Sequence, residues 1–198
     1  MSTPERRYYL GEVRAITPDG SGDTRIVGYG AVFNKRSENL GGFREIIMPG
    51  AFDSCLKDDV RALFNHDSNI ILGRTTSNTL TLSKDDNGLN YEIIAPDTQM
   101  IKDMVLAPMA RGDITQSSFQ FTVARDGENW YQDDEGLVIR EIHQISRLFD
   151  IGPVTFPAYP DATSAKRNLD EFLNNQKELQ KALTSKRSRE RYLTVIGG

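Results

Sequence analysis

The chain has 198 residues, and its balance of 38% apolar and 26% charged residues is typical of a folded globular protein. No stretch approaches the roughly 18 consecutive apolar residues of a membrane span, and the start of the chain lacks the apolar core of a secretory signal. The single cysteine, Cys55, excludes an internal disulfide and favours a reducing compartment. We therefore expect neither a membrane partner nor a disulfide scaffold.

Charge is distributed unevenly along the chain. Residues 164–198 contain eight Lys or Arg and four Asp or Glu, a net charge of +4, whereas residues 1–163 contain 16 and 24, a net charge of −8. A protein that binds nucleic acid usually presents a basic face, and here the basic residues are confined to one end of the chain. The distribution predicts a domain of residues 1–163, a tail of residues 164–198 and no nucleic-acid partner.

Short strands separated by turns dominate the sequence. β-forming residues bounded by Gly, Pro, Asn and Asp predict strands at 8–15, 25–32, 60–64, 79–83, 89–94, 118–125, 137–145 and 148–155. The segments 79–83 and 89–94 flank a turn that contains glycine, and they form a predicted hairpin. The pattern indicates a mainly β fold, either a barrel or a sandwich.

Two helices are predicted among the strands and one after them. Residues 51–57 can form one short helix. A second helix begins at Asp97 or Thr98, either of which can cap it, and ends before Pro108. Residues 164–198 carry apolar residues at helical spacing along a charged segment, so the tail is predicted to be a helix that is partly disordered unless it packs. The expected fold class is α+β, mainly β with inserted helices and a C-terminal helical tail.

The strand that contains Ser117 and Ser118 offers a candidate nucleophile. Side chains of a strand point alternately to its two faces. Ser117 shares a face with Phe119 and Phe121, whereas Ser118 lies on the polar face with Gln120. Alternation therefore favours Ser118 as the reactive hydroxyl, and an ordinary strand serine that hydrogen-bonds a neighbour is the alternative interpretation.

His66 is a candidate base and one of only two histidines in the chain. It follows the apolar run 60–64, so it is expected where a buried strand emerges into a polar loop, and such rims often carry functional groups. An imidazole that is neutral near pH 7 can accept the proton of a serine hydroxyl. A polar loop histidine without a chemical role is the alternative.

Asp150 is a carboxylate inside an apolar strand. Both faces of this strand are apolar, with Leu148 expected on the same face as Asp150, so the strand is predicted to be buried. A buried carboxylate is costly unless it has a cationic or hydrogen-bonding partner. That partner is either His66 or an arginine, Arg140 or Arg147.

A hydroxyl, an imidazole and a carboxylate on separate segments are the residue types of a serine hydrolase. Cys55 could instead supply a thiol nucleophile, but its apolar surroundings favour a buried structural role. His66, Asp67, Glu141 and His143 could ligate a metal, but their spacing matches no metal motif. The sequence therefore favours serine chemistry without a cofactor or a metal.

Seven blocks in order make the sequence resemble the prohead (capsid maturation) proteases of tailed bacteriophages. The resemblance covers nearly all of residues 8–163, and its blocks are 28–34, 49–52, 63–67, 72–75, 111–113, 118–121 and 153–160. One block alone is weak, but seven in the same order are specific. The fold implied is similar to that of the herpesvirus assembly proteases (assemblins), a β-barrel surrounded by helices.

The resemblance also implies an activity and a set of site residues. The protein would be a serine endopeptidase, with His66 and Ser118 at the positions of the family's histidine and serine. Asp150 stands where the family has an acidic residue, most often Glu. In the herpesvirus enzymes the third catalytic residue is a histidine, which makes His143 the rival of Asp150.

Partners and place of action follow from the same resemblance. The substrates would be the scaffolding protein or the scaffold-like extension of the major capsid protein, and the protease would also cleave itself. It would act inside the assembling prohead, in the host cytoplasm, and it would form a homodimer as the herpesvirus relatives do. Two other functions stay open: a non-catalytic capsid-assembly or scaffolding protein with a protease-like body, and a zinc-dependent hydrolase.

Overall fold

The computed structural model describes residues 4–9, 13–17, 22–156 and 163–196. The chain separates into two compact units, Met1–Asp161 and Ala162–Gly198. The described part of the first unit contains twelve strands, a few short helical segments and connecting turns. The expectation of a mainly β protein with inserted helices is therefore confirmed.

The twelve strands form three sheets. In chain order they are β1 (Glu5–Tyr9), β2 (Arg14–Ile16), β3 (Arg25–Val32), β4 (Arg44–Ile47), β5 (Arg61–Leu63), β6 (Ile71–Arg74), β7 (Leu80–Lys84), β8 (Gly88–Ile94), β9 (Gln116–Val123), β10 (Glu128–Gln132), β11 (Val138–Ile142) and β12 (Ile145–Val154). The sheets have the orders β1-β9-β12-β5-β6, β10-β11-β4 and β2-β3-β8-β7.

The predicted barrel is wrong for the described residues. A barrel requires every strand to pair with two neighbours, whereas β1 and β6 at the ends of the five-stranded sheet each have one. The same holds for the edge strands of the other two sheets. The strands therefore form three open sheets and not one closed ladder.

The centre of the five-stranded sheet is β12. It pairs antiparallel with β9 on one side and parallel with the short strand β5 on the other. The edge strand β1 continues the sheet beyond β9, with Tyr8 opposite Ser118. Segments that are far apart in the chain are thereby brought side by side.

The hydrophobic core contains residues of all three sheets. The rings of Phe119 and Phe121 stack with their centroids 4.9 Å apart, and Phe52 meets Phe119 edge-on at 5.7 Å. A Cβ on Gly30 of β3 would lie 2.3 Å from Cδ1 of Ile151 on β12. The missing side chain at Gly30 thus allows the two sheets to approach closely.

Helical segments precede β9. α1 (Gln99–Ile101) is capped by Thr98, whose hydroxyl accepts from the main-chain N–H of Ile101. It continues through a π-helical segment (Lys102–Leu106) into α2 (Ala107–Arg111). The expected stop before Pro108 is wrong, because the helical run continues through Pro108 to Arg111, with the π-helical segment directly before it.

Three further differences from the predicted elements are local. Residues 51–57 form successive turns and not a helix, since hydrogen bonds such as Cys55 N–H to Phe52 O span three residues. The strands β4, β6 and β10 were not predicted, and β10 follows a turn at Asp126, whose φ is +60°. The predicted strand at 8–15 overlaps the end of β1 and the start of β2, and its residues 10–12 lie outside the described residues.

The second unit contains one helix, α3 (Thr163–Ile196), which confirms the helical tail. Over the ranges that the structure describes, no helix has the length and apolarity needed to cross a membrane.

Candidate active site

The strand β9 places its two serines on opposite faces, as alternation predicts. Ser117 points into the core, where its hydroxyl lies 2.7 Å from the hydroxyl of Tyr91. Ser118 points to the other face of the sheet. The hydrogen bond of Ser117 to a buried tyrosine gives it a structural partner, and Ser118 is the hydroxyl left on the outer face.

Asp150 on β12 faces the same side of the sheet as Ser118. Gly152 pairs directly with Ser118, and Asp150 is two residues away on the same face. The expectation that Leu148 shares this face is wrong, because a register shift between Leu148 and Asp150 places Leu148 opposite Phe121. Such a bulge adds one residue to the strand and reverses the alternation.

His66 reaches this face from the loop that follows β5. A Cβ on Gly152 would lie 2.3 Å from the carbonyl oxygen of Leu63. Any side chain at position 152 would therefore clash with the end of β5, and only glycine allows the two backbones to lie this close. Asn65 and His66 then turn the chain with φ values of 54° and 57°. These values lie in the left-handed region, which is costly for residues other than glycine.

The three side chains form one hydrogen-bonded chain. Nε2 of His66 lies 2.6 Å from Oγ of Ser118, and Nδ1 of His66 is hydrogen-bonded to Oδ1 of Asp150. An ionised carboxylate only accepts, so Nδ1 carries the ring proton and Nε2 of the neutral ring can accept from the serine hydroxyl. This is the geometry of a nucleophile, a base and a group that orients the base.

The hydrogen-bonded chain is shielded from solvent. Ser118 is 0% exposed, and the side chains of His66 and Asp150 are 5% and 7% exposed. Where water is excluded, charges and hydrogen bonds interact more strongly than in bulk solvent. The buried carboxylate can therefore stabilise the imidazolium that forms when His66 accepts a proton.

A network of five charged residues, most of them buried, includes two residues of the edge strand β1. Arg140 donates to Glu5, Glu45 and Glu128, and Arg7 donates to Glu5 and Glu45, with most N–O distances between 2.7 and 2.9 Å. Burial raises the pKa of Glu5, but the hydrogen bond and charge of Arg140 and the charge of Arg7 outweigh it and hold the pKa below 4.5. The network joins β1 to β4, β10 and β11, so it fixes the strand that lies beside Ser118.

Residues weighed as alternatives lie elsewhere. His143 is 48% exposed at its side chain, and its Nε2 lies 3.2 Å from a carboxylate oxygen of Glu141. Arg140 contacts three glutamates, and the guanidinium of Arg147 lies over an aromatic ring of its own strand. Neither arginine is therefore placed as the partner of the carboxylate on β12.

Neither Cys55 nor the four residues considered as metal ligands lie in surroundings that suit those roles. Cys55 is fully buried, and burial raises the pKa of its thiol to about 12, which makes it a poor nucleophile near neutral pH. Within the described ranges, no three His, Cys, Asp or Glu side chains converge to hold a metal ion. The four residues weighed as metal ligands are thus not such a group.

The sequence matches the caudovirus prohead serine protease family model over residues 12–175. The chain belongs to this family. No curated protein and no solved structure matches the chain, so the expected similarity to the herpesvirus assembly proteases stays a prediction. Membership of the prohead serine protease family supports a serine protease that acts in phage capsid maturation.

Sequence reasoning missed three features that surround the candidate site of this prohead protease. These are the close crossing above Gly152, the left-handed turn at Asn65 and the buried charge network. A glycine within an apolar strand is a signal of close backbone approach, and it could have indicated the first feature. An asparagine directly after a buried strand is a weak signal of a left-handed turn, and it could have indicated the second feature. No local signal indicates the charge network, because it depends on contacts between distant segments.

Proposed function

We propose that the protein is a serine endopeptidase in which Ser118 is the nucleophile, His66 the general base and Asp150 the residue that orients the base. The observation that carries the proposal is the continuous hydrogen-bonded chain from the Ser118 hydroxyl through both nitrogens of His66 to Asp150. Family membership supports the same chemistry.

In the first step Oγ of Ser118 attacks the scissile carbonyl carbon, and its proton passes to Nε2 of His66. Asp150 keeps the other ring proton at Nδ1 and stabilises the positively charged ring. As the tetrahedral intermediate collapses, the C–N bond breaks and His66 donates its Nε2 proton to the leaving amine. The product is an acyl ester on Ser118 and a free amino terminus.

In the second step a water molecule attacks the ester, and its proton passes to Nε2 of His66. Collapse of this intermediate breaks the ester bond and returns the proton to Oγ of Ser118. The carboxylate product leaves, and the three residues regain their starting protonation. No external cofactor enters either step.

The proposed substrates are the scaffolding protein or the scaffold-like extension of the major capsid protein, together with the protease itself. Cleavage takes place inside the assembling prohead in the host cytoplasm. The family description supports a role in prohead maturation, and these particular substrates are our extension of it.

Co-expression with the candidate capsid or scaffolding protein, followed by mass spectrometry of the new termini, tests this proposal. We expect cleavage with the wild-type chain and none with Ser118→Ala at equal expression. A fluorophosphonate probe should label Ser118 in the wild type, because it forms an ester with an activated serine. Unchanged cleavage by Ser118→Ala would contradict the assignment.

The same probe separates the protease from a non-catalytic assembly protein with a protease-like body. A scaffold would bind capsid protein without being labelled at Ser118 and without cutting it. A zinc-dependent hydrolase would lose activity with a chelator and escape the probe. The protease should be labelled and should be insensitive to the chelator.

Two further parts of the proposal concern residues 164–198 and self-association. The tail carries a net charge of +4, and we propose that it is needed for packaging into the prohead or for docking on scaffold, while being dispensable for hydrolysis of a short peptide. We also propose a homodimer. Light scattering at tens of micromolar that shows only a 22.2 kDa species would contradict the dimer. Loss of peptide hydrolysis when the tail is removed would contradict the proposal that the tail is dispensable for hydrolysis.

A further inference from the structure

The loop that carries His66 is held at the end of β12 by one residue, Asn65. The main-chain N–H of Asn65 donates to the carbonyl oxygen of Pro153 over 3.1 Å. Its side-chain oxygen Oδ1 accepts from the main-chain N–H of Thr155 at 2.8 Å and from the Thr155 hydroxyl at 3.1 Å. Three hydrogen bonds thus hold one residue of the loop at the end of β12, one to Pro153 of the strand and two to Thr155 directly after it.

The backbone of this loop requires such an attachment. Asn65 and His66 are consecutive residues in the left-handed region, with φ values of 54° and 57°. Asparagine and histidine adopt this conformation more readily than most residues, but two consecutive non-glycine residues in it are still unfavourable. Strained residues of this kind persist only where surrounding contacts hold them in place.

The direction of the imidazole depends on this backbone. His66 must present Nδ1 to Asp150 on β12 and Nε2 to Ser118 on β9 at the same time. A rotation of the backbone at Asn65 would carry the ring away from one or both partners. A displacement of about 1 Å in a reacting group can cost on the order of 100-fold in rate.

We infer that Asn65 is a positioning residue of the active site, which acts through its hydrogen bonds to Thr155 to hold His66 in register with Ser118 and Asp150. The inference rests on the proposed function for its effect on activity. The orientation of the His66 ring should depend on Asn65 whether or not the protein is catalytic.

Three substitutions separate the two contributions of Asn65. Asn65→Ala removes both the oxygen acceptor and the preference for the left-handed backbone. Asn65→Gly removes the acceptor but tolerates the backbone. Asn65→Asp keeps an oxygen that can accept both hydrogen bonds. The rate at which a fluorophosphonate labels Ser118 is the activity readout, because it needs no knowledge of the substrate.

We expect labelling to slow about 10- to 100-fold in Asn65→Ala and Asn65→Gly, and to stay within a few-fold of wild type in Asn65→Asp. Thr155→Val removes the hydroxyl donor and keeps the N–H, so it should slow labelling only a few-fold. Adding Thr155→Val to Asn65→Ala should cause no further loss, because the partner contact is already gone.

Nitrogen chemical shifts of the imidazoles provide the second readout. The chain has two histidines, so His143 is an internal control on the exposed surface. In the wild type His66 should show a protonated Nδ1 and an unprotonated Nε2. In Asn65→Ala this pattern should be lost, while the signals of His143 stay unchanged.

Asn78 offers a matched control because it is also an asparagine in the left-handed region, with a φ of 58°, at the end of a short 3-10 helix. Asn78→Ala should leave Ser118 labelling and the His66 signals unchanged. Equal slowing in Asn78→Ala and Asn65→Ala would overturn the inference, since it would indicate a general loss of stability. So would wild-type labelling and unchanged His66 signals in Asn65→Ala.

The two proposals fail in different ways. If the wild-type chain is not labelled at Ser118, the proposed function is contradicted, while the His66 signals still decide whether Asn65 positions the ring. If the wild type is labelled and Asn65→Asp is as slow as Asn65→Ala, the acceptor contact with Thr155 has no positioning role and the inference is overturned.

Discussion

The hydroxyl oxygen of Ser118 lies 2.9 Å from the main-chain carbonyl oxygen of Arg7 on the edge strand β1. The hydroxyl has one proton and two acceptors within reach, this carbonyl and Nε2 of His66. When the imidazole is neutral, the proton can pass to His66, and when the imidazole is charged, the hydroxyl can donate only to Arg7. The carbonyl group of Arg7 on β1 therefore gives the Ser118 hydroxyl a second hydrogen-bond acceptor.

The two adjacent serines should respond in opposite ways to substitution. Ser118→Ala should lower the rate of cleavage by at least about 10³-fold with little change in stability, because it removes the proposed nucleophile. Ser117→Ala should keep activity but lower the free energy of unfolding by about 1–3 kcal/mol, since it leaves the buried hydroxyl of Tyr91 without its partner. Peptide cleavage and urea unfolding measure both. Loss of activity in Ser117→Ala alone would contradict the assignment.

Asp150 and His143 can be distinguished as the third member of the site. Asp150→Asn should slow turnover by about 10²- to 10⁴-fold with little change in KM, because the amide no longer fixes the tautomer of His66. His143→Ala should be nearly silent, since its imidazole is half exposed and contacts Glu141. Steady-state kinetics on a peptide cut from the natural site would test both. An inactive His143→Ala with an active Asp150→Asn would favour the Ser-His-His arrangement.

The buried charge network should make stability depend on pH and on Arg140. Arg140→Met leaves buried carboxylates without their partner and should cost about 3–5 kcal/mol of unfolding free energy. The matched control is Arg111→Met, whose ion pair with Asp113 is exposed and should change the urea midpoint little. Equal effects of the two substitutions would contradict a structural role for the network.

Acid should weaken the same network. The pKa of Glu5 is lower in the folded protein than its ordinary value of 4.5. The stability that this carboxylate contributes is therefore complete above pH 4.5 and is lost as the pH falls through the folded pKa. Urea unfolding between pH 7 and pH 3 should show a decline below pH 4.5 that is shallower in Glu5→Gln. A decline of equal slope in the two proteins would contradict this origin.

Cys55 should be inert in the folded protein. Its thiol is buried and its pKa is raised to about 12, so almost no thiolate exists at pH 8. Iodoacetamide should therefore modify Cys55 only after unfolding in urea, and Cys55→Ala should keep its proteolytic activity. Rapid modification of the native protein, accompanied by loss of activity, would instead favour Cys55 as the nucleophile.

The sequence by itself determined the faces of β9. Alternation along β9, whose pairing with β1 has no register shift, places Ser117 with the phenylalanines and Ser118 on the other side, and the structure shows the same division. The same reasoning failed for Leu148 and Asp150, because a bulge between them reverses the alternation. The period of a strand can be read from side-chain chemistry, whereas an inserted residue depends on how the neighbouring strand pairs.

Only the tertiary structure decided how the candidate site is assembled. Ser118 and Asp150 are 52 and 84 positions from His66, and they meet it because β12 lies between β9 and β5. The left-handed turn at Asn65 and the passage of Leu63 above Gly152 complete the arrangement. Strand order and backbone strain arise from contacts between distant segments, which is why residue patterns along the chain identified the three residue types but not the turn that joins them.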